Sequence, residues 1–313
     1  MKLIGKRIIE LLIFLVILSF LSFVLMKLAP GDPVKQMLRV DDVAVSEEQM
    51  NNLRTELGFD EPVYIQYVKW LKRFFQFDLG SSYMTKEPVI DELAEKFPAT
   101  LRLTAASLVV MLLIAVPLGT LSALYPNKWI DYLSRSISLI GASIPSFWLG
   151  LLFIQLFSVR LQWLPSMGTG TAAHLVLPSL TLGFAMSAVY MRMIRASLLE
   201  GLKQDFVRSA RARGISESRI FIFHAFRYSL TPLLTILGTS LGSLLGGTVI
   251  IEVLFAYPGI GKLVIDAIMN RDYPVIQGYI LWMGLFVVLI NSLVDLSYKY
   301  VNPQLYVKGG DKT

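Results

Sequence analysis

Of 313 residues, 54% are aliphatic or aromatic, only 17% are charged, none is cysteine, and the formal net charge is +6. A soluble domain carries about 25% charged residues, so this composition, with a mean hydropathy of +0.59, excludes an ordinary soluble fold. The missing cysteines exclude a disulfide framework, a thiolate metal site and a dithiol redox motif, and positive charge that flanks apolar runs, without aromatic-interleaved basic patches, excludes nucleic acid.

The gaps between charge clusters match the roughly 20 residues that cross a hydrocarbon core, which predicts an all-α membrane protein with six transmembrane helices. The first is expected over about Ile8 to Leu28, behind Lys2, Lys6 and Arg7. Its apolar run is longer than the core of a signal peptide, and Leu28-Ala29-Pro30 is a poor cleavage site, so residues 1–28 read as a basic flank and an uncleaved helix. Residues 29–98 carry eight basic and thirteen acidic residues and are expected outside the cell membrane. Val63 to Leu71 places apolar residues at helical spacing, and Gly31-Asp32-Pro33 and Gly80-Ser81-Ser82 read as turns. A small helical cap is expected here, either a passive lid or a docking surface.

Residues 99–300 are expected to form a five-span core, with spans over Leu101 to Tyr125, Ser136 to Val159, Leu175 to Met191, Leu230 to Val253 and Ile276 to Leu296. Pro117, Pro145 and Pro178 each remove a backbone donor and bend a helix where neighbours satisfy the freed carbonyl. Gly238, Gly242 and Gly246 recur at four-residue intervals, with Thr239, Ser243 and Gly247 one position on. That face suits close helix packing or a pathway. Glu252 and Asn291 are polar at membrane depth and so are pathway candidates, Glu252 alternatively as a cap satisfied by local amides. Asp295 is placed to pair with Lys299 four residues on. Residues 301–313 form a tail.

Within the core, residues 192–229 hold eight basic and three acidic residues. Positive charge between spans marks the cytoplasmic side, which places this loop and both termini inside. Ile194, Leu198, Leu202, Phe206 and Ala210 recur every four residues, predicting a helix that extends the fourth span. Gly214 suits the left-handed position that ends it, and Ser216 could cap a second short helix through Phe226. A helix, tight turn and helix of this length suits docking of a soluble partner. Chemistry is sparse: there is no nucleotide-binding P-loop, His-Glu-x-x-His or Gly-x-Ser-x-Gly. Two distant histidines cannot build a closed metal site. His224 reads as structural, and His174 with Met167 at the outer end of span four is a weak metal candidate.

Ser209-Ala210-Arg211-Ala212-Arg213-Gly214, followed by Pro232, resembles the EAA loop of permease subunits in binding-protein-dependent ABC importers, in the variant of the dipeptide, oligopeptide and nickel group. The usual glutamate falls at Arg208. Leu57-Gly58-Phe59-Asp60, Phe97-Pro98-Ala99-Thr100-Leu101, Glu252 to Gly261 and Arg271-Asp272-Tyr273-Pro274 extend the likeness over the whole chain. Within the group it is closest to the first, B-type nickel permease, through Leu161 to Gly168, the short connection to His174 and Asn270 to Pro274.

The resemblance implies a type I importer permease fold in the plasma or inner membrane. It further implies a second homologous permease, two cytoplasmic ATPase subunits holding ATP and magnesium, and an extracytoplasmic substrate-binding protein. Arg208, Ser209, Ala210, Arg211, Ala212, Arg213, Gly214, Ile215 and Ser216 would couple to an ATPase, and this chain would bind no cofactor and be no enzyme. The cargo expected first is nickel or a metal chelate, and the alternative is a di- or oligopeptide. A stand-alone channel or membrane enzyme is the reading from another class.

Overall fold

In a computed structural model, which describes residues 2–28, 33–38 and 46–301, the chain is helical with short connections. In order come α1 (Lys2–Leu28), α2 (Pro33–Met37), α3 (Glu47–Glu56), α4 (Val63–Phe74) and α5 (Val89–Leu124). Then follow α6 (Trp129–Ser143), α7 (Ser146–Phe153), a π-helical segment (Ile154–Arg160), α8 (Ala173–Gly201), α9 (Asp205–Ala212) and α10 (Glu217–Ile220). A second π-helical segment (Phe221–Ala225), α11 (Phe226–Leu254), α12 (Ile260–Met269) and α13 (Tyr273–Val301) complete the fold. Local sequence sets several ends. Ser46 and Gln49 form a reciprocal capping box at the start of α3. Ile144 is extended before Pro145, as a residue preceding proline prefers.

Among the described residues, α1, α5, α8 and α13 are long and apolar enough to cross a bilayer; α6 and the helix that follows it give a fifth span if taken together. The expected span at Leu230 to Val253 coincides with α11, several of whose side chains are outside those described. The Asp295–Lys299 pair also lies outside the described side chains.

Three expectations change. The second span begins twelve residues early, so that Val89 to Leu124 is one continuous helix through Pro98 and Pro117. The third span is two helices bent by 104° at Ile144-Pro145; of the three prolines singled out, only Pro145 sits at a break, and α8 continues through Pro178. The helix of the basic loop does not extend α8 without interruption. It stops at Gly201 and restarts at Asp205, so Phe206, expected in the buried stripe, is 39% exposed while Val207 is buried.

The chain divides into two compact units, residues 1–98 with 259–288 and residues 99–258 with 289–313. In the first, Leu15, Leu79, Val89, Leu93, Val275 and Ile276 share a core. An ideal Cβ on Gly278 would fall 2.5 Å from Val89 Cγ1, so only glycine fits there. The buried Asp272 carboxylate accepts from Ser82 Oγ at 2.5 Å and from the Tyr83 and Met84 amides at 3.0 and 3.3 Å, which ties loop 80–88 to the start of α13. Burial, and then the charge of Asp272, push the Tyr83 hydroxyl well above the usual tyrosine range.

In the second unit, α8 packs against α6, α7 and α11 around Met111, Tyr190, Met191, Ile194 and Leu198. Close approach there depends on Gly119 and Gly183. A Cβ on Gly183 would lie 2.7 Å from the Ser107 carbonyl oxygen, and one on Gly119 would lie 2.9 Å from that of Met191. Small residues let membrane helices approach in this way.

Candidate functional site

The basic loop is built around α9. Helix α8 ends at Gly201, where a Cβ would stand 3.0 Å from the Tyr228 ring. Gln204 is extended and opens α9, with Asp205 in the first turn, where an acidic residue complements the helix dipole. Val207 and Ala210 face inward and pack with Ile215 and Ile220 as a small separate core.

The turn after α9 is a complete Schellman motif. The Gly214 amide donates to the Arg211 carbonyl at 2.9 Å, and the Ile215 amide donates to that of Ala210 at 3.2 Å. Gly214 holds φ at +77°, in the left-handed region where glycine has no steric penalty, as expected from the sequence. Ile215 supplies the apolar contact that accompanies such turns.

Arg211 closes the turn from outside. Its Nε and Nη2 donate to the two carboxylate oxygens of Glu217 at 2.7 and 3.0 Å. Each partner shifts the other, Arg211 upward and Glu217 downward, chiefly through this hydrogen bonding. Ser216 takes the extended N-cap conformation before α10 but makes no side-chain cap. The second helix is not short: α10 runs through the π-helical segment into α11. Arg208, Ser209, Arg211, Ala212, Arg213, Gly214 and Ser216 are all exposed, Ile215 is half-buried and Ala210 is buried. The element therefore presents a basic outer surface on an apolar base.

Arg195, one of the eight basic residues of the loop, is engaged. Its Nε and Nη2 donate to Asp131 at 2.7 and 2.8 Å. The fully buried Asp131 also accepts from Ser122 Oγ at 2.6 Å and the Asn127 amide at 2.9 Å. This clamp fastens the short α5–α6 turn to α8. The sequence carried one sign of it, an acidic residue alone in the connection 126–135.

Among the pathway candidates, Glu252 is fully buried and accepts from Thr100 Oγ1 at 2.6 Å. Gly238 is buried, Gly242 is half-buried and Gly246 is exposed, and a Cβ on Gly246 would meet nothing within 4 Å. Asn291 is exposed on α13. Met167 is 57% exposed, and His174 Nδ1 is engaged locally by the Thr171 amide and hydroxyl at 3.3 and 3.0 Å. Among the described residues no group of three or more His, Cys, Asp or Glu could hold a metal ion.

Residues 115–306 match the family described as "Binding-protein-dependent transport system inner membrane component". Residues 1–104 match its N-terminal companion, "Binding-prot-dependent transport system membrane comp, N-term". The glutathione transport system permease protein GsiC of Escherichia coli strain K12, like that of Shigella flexneri serotype 5b, is 40% identical over 303 residues, covering 97% of this chain and 98% of the relative. Among solved structures, an inward-facing form of the MetNI methionine ABC transporter aligns with a TM-score of 0.57 at 22% identity over 68% of this chain and 97% of that one. An amino acid ABC transporter with histidines aligns with a TM-score of 0.54 at 14% identity, over 67% and 94%. These two likenesses show the fold. The two GsiC relatives carry glutathione and not nickel in their names, which favours the peptide alternative over the expectation of nickel.

Proposed function

The chain belongs to the family of inner membrane components of binding-protein-dependent transport systems, and from that premise we propose that its cargo is a short peptide of the size and polarity of glutathione. It is a multi-pass membrane permease subunit of an ABC importer; it is not an enzyme, and ATP hydrolysis belongs to partner subunits. The observation that carries the cargo is the end-to-end 40% identity with a glutathione permease.

The finer arrangement is part of the proposal. Six spans place both termini and residues 192–229 in the cytoplasm and residues 29–98 outside, where an extracytoplasmic binding protein delivers cargo. A second homologous permease completes the pathway. Two ATPase subunits, which hold ATP and magnesium, dock on Arg208 to Ser216 and drive alternating access. Pathway candidates are Gly238, Gly242, Gly246, Glu252 and Asn291. Gly246 has open space beside it for a passing solute, and the buried Glu252 is pinned by Thr100 at the end of the same helix.

Cells lacking this chain test the cargo. Uptake of labelled glutathione or dipeptide is expected to fall to background while radioactive nickel uptake is unchanged. Loss of nickel uptake with normal peptide uptake overturns the reading.

A further inference from the structure

Helix α4 carries two apolar faces, and only one is used inside the chain. Tyr67, Trp70 and Phe74 stack along the inner face, and Tyr67 meets Phe20 and Phe23 of α1 with ring centroids 5.5 and 5.3 Å apart. Tyr64, Val68 and Phe75, at i, i+4 and i+11, form a second stripe and are 70%, 61% and 57% exposed. Lys69 and Arg73 lie on the side away from both stripes, Lys72 borders the exposed stripe four residues on from Val68, and all three are exposed; Lys69 also donates to Glu61 at 2.5 Å.

The contacts with α1 set the depth. The Tyr67 hydroxyl lies 3.1 Å from Ser19 Oγ. Ser19 is nine residues from Leu28, about 13 Å along the helix at 1.5 Å per residue, and inside the apolar run Ile9–Leu28. One residue earlier, Gln66 Oε1 accepts from Lys27 Nζ at 2.5 Å. That ammonium lies 5.0 Å from the Phe59 ring centroid, the posture of a lysine snorkelling to an interface.

We infer that α4 lies in the outer interfacial layer of the bilayer, with Tyr64, Val68 and Phe75 against lipid acyl chains and Lys69, Lys72 and Arg73 toward anionic headgroups. The occupant follows from continuity and charge. The exposed stripe adjoins α1, whose Ile13, Ile17, Phe20 and Leu21 are themselves 51–55% exposed on a helix that spans the membrane. A helix with aromatic and aliphatic residues on one side and Lys/Arg on the other has the composition that binds in the interface plane. The segment expected to be a cap above the membrane would therefore be partly within it. This inference rests on the membrane reading of α1 and is independent of the cargo.

The cysteine-free chain allows nitroxide labels on single substitutions, Val68→Cys and Phe75→Cys, in the assembled transporter in nanodiscs of phosphatidylethanolamine and phosphatidylglycerol. Ile13→Cys on α1 and Asn52→Cys on α3 serve as lipid and water references. Collision with oxygen is expected to exceed collision with chromium oxalate several-fold at positions 68 and 75, as at 13, and the order is expected to reverse at 52. Chromium oxalate accessibility at 68 and 75 overturns the proposal. So does shielding from both reagents that is relieved when the binding protein or the second permease is left out, which would mark a protein partner. Failure at position 13 as well sinks the membrane placement of α1 and not α4 alone.

Discussion

Asp131 accepts four hydrogen bonds, two of them from one guanidinium, and has no exposed surface. Such a carboxylate is stable only while every partner stays. Asp131→Ala leaves Arg195 partly buried without its counter-ion, a change that costs on the order of 3 kcal/mol. The double variant Asp131→Ala/Arg195→Leu is expected to recover part of that loss in thermal unfolding of the purified complex; a double variant less stable than the single one contradicts the pairing. Gly214 tests a different force. Its Cβ position is open, so Gly214→Val is opposed by backbone conformation and not by collision. The left-handed region costs a side-chain-bearing residue about 1–2 kcal/mol. The expected outcome is a complex that inserts normally but loses uptake relative to ATP hydrolysis, read by assaying both in proteoliposomes; unchanged coupling would remove the turn from the docking element.

Between residues and the whole lies the question of which helix contacts the sequence could announce. The ladder Gly238, Gly242 and Gly246 stands out in a one-dimensional reading because its spacing repeats. Gly119 and Gly183 are isolated in sequence and mark the close approaches, because what makes them necessary is a carbonyl oxygen on another helix. Gly183→Leu is therefore expected to abolish assembly, whereas Gly246→Leu is expected to assemble and lose uptake; the complex yield on a sizing column and a transport assay separate the two. The turn at Gly214 was legible for the opposite reason. A Schellman motif is specified within six consecutive residues, as is the capping box at Ser46, which the sequence reading passed over. Val207 replaced Phe206 in the buried stripe because the three-residue break at 202–204 resets the helical phase, and nothing local forces that break. The Arg211–Glu217 bridge adds a pH dependence. Glu217 is held below its ordinary value, so the bridge's contribution is in place above the unfolded glutamate value of about 4.3 and is lost as pH falls through the lower folded value. It should be small because the pair is exposed. Amide exchange of residues 213–217 is expected to quicken below that range in the parent and to be indifferent to pH there in Glu217→Gln, apart from the intrinsic exchange chemistry.

At the scale of the molecule, the membrane class and the family were legible in sequence and the cargo was not. The turn of the basic loop could be read because it is local and charged. The residues quoted for a nickel likeness, Leu161 to Gly168 and Asn270 to Pro274, are two short stretches, the first in a connection and the second ending in the first turn of α13, whereas the likeness to a glutathione permease runs over 303 residues. The architecture around α9 has one more consequence. Val207 and Ala210 of this eight-residue helix share a small core with Ile215 and Ile220 beyond the turn, and α10 runs through the π-helical segment into α11. The loop therefore carries its own ballast: side chains on both sides of Gly214 hold one another in a cluster separate from the core around Met191.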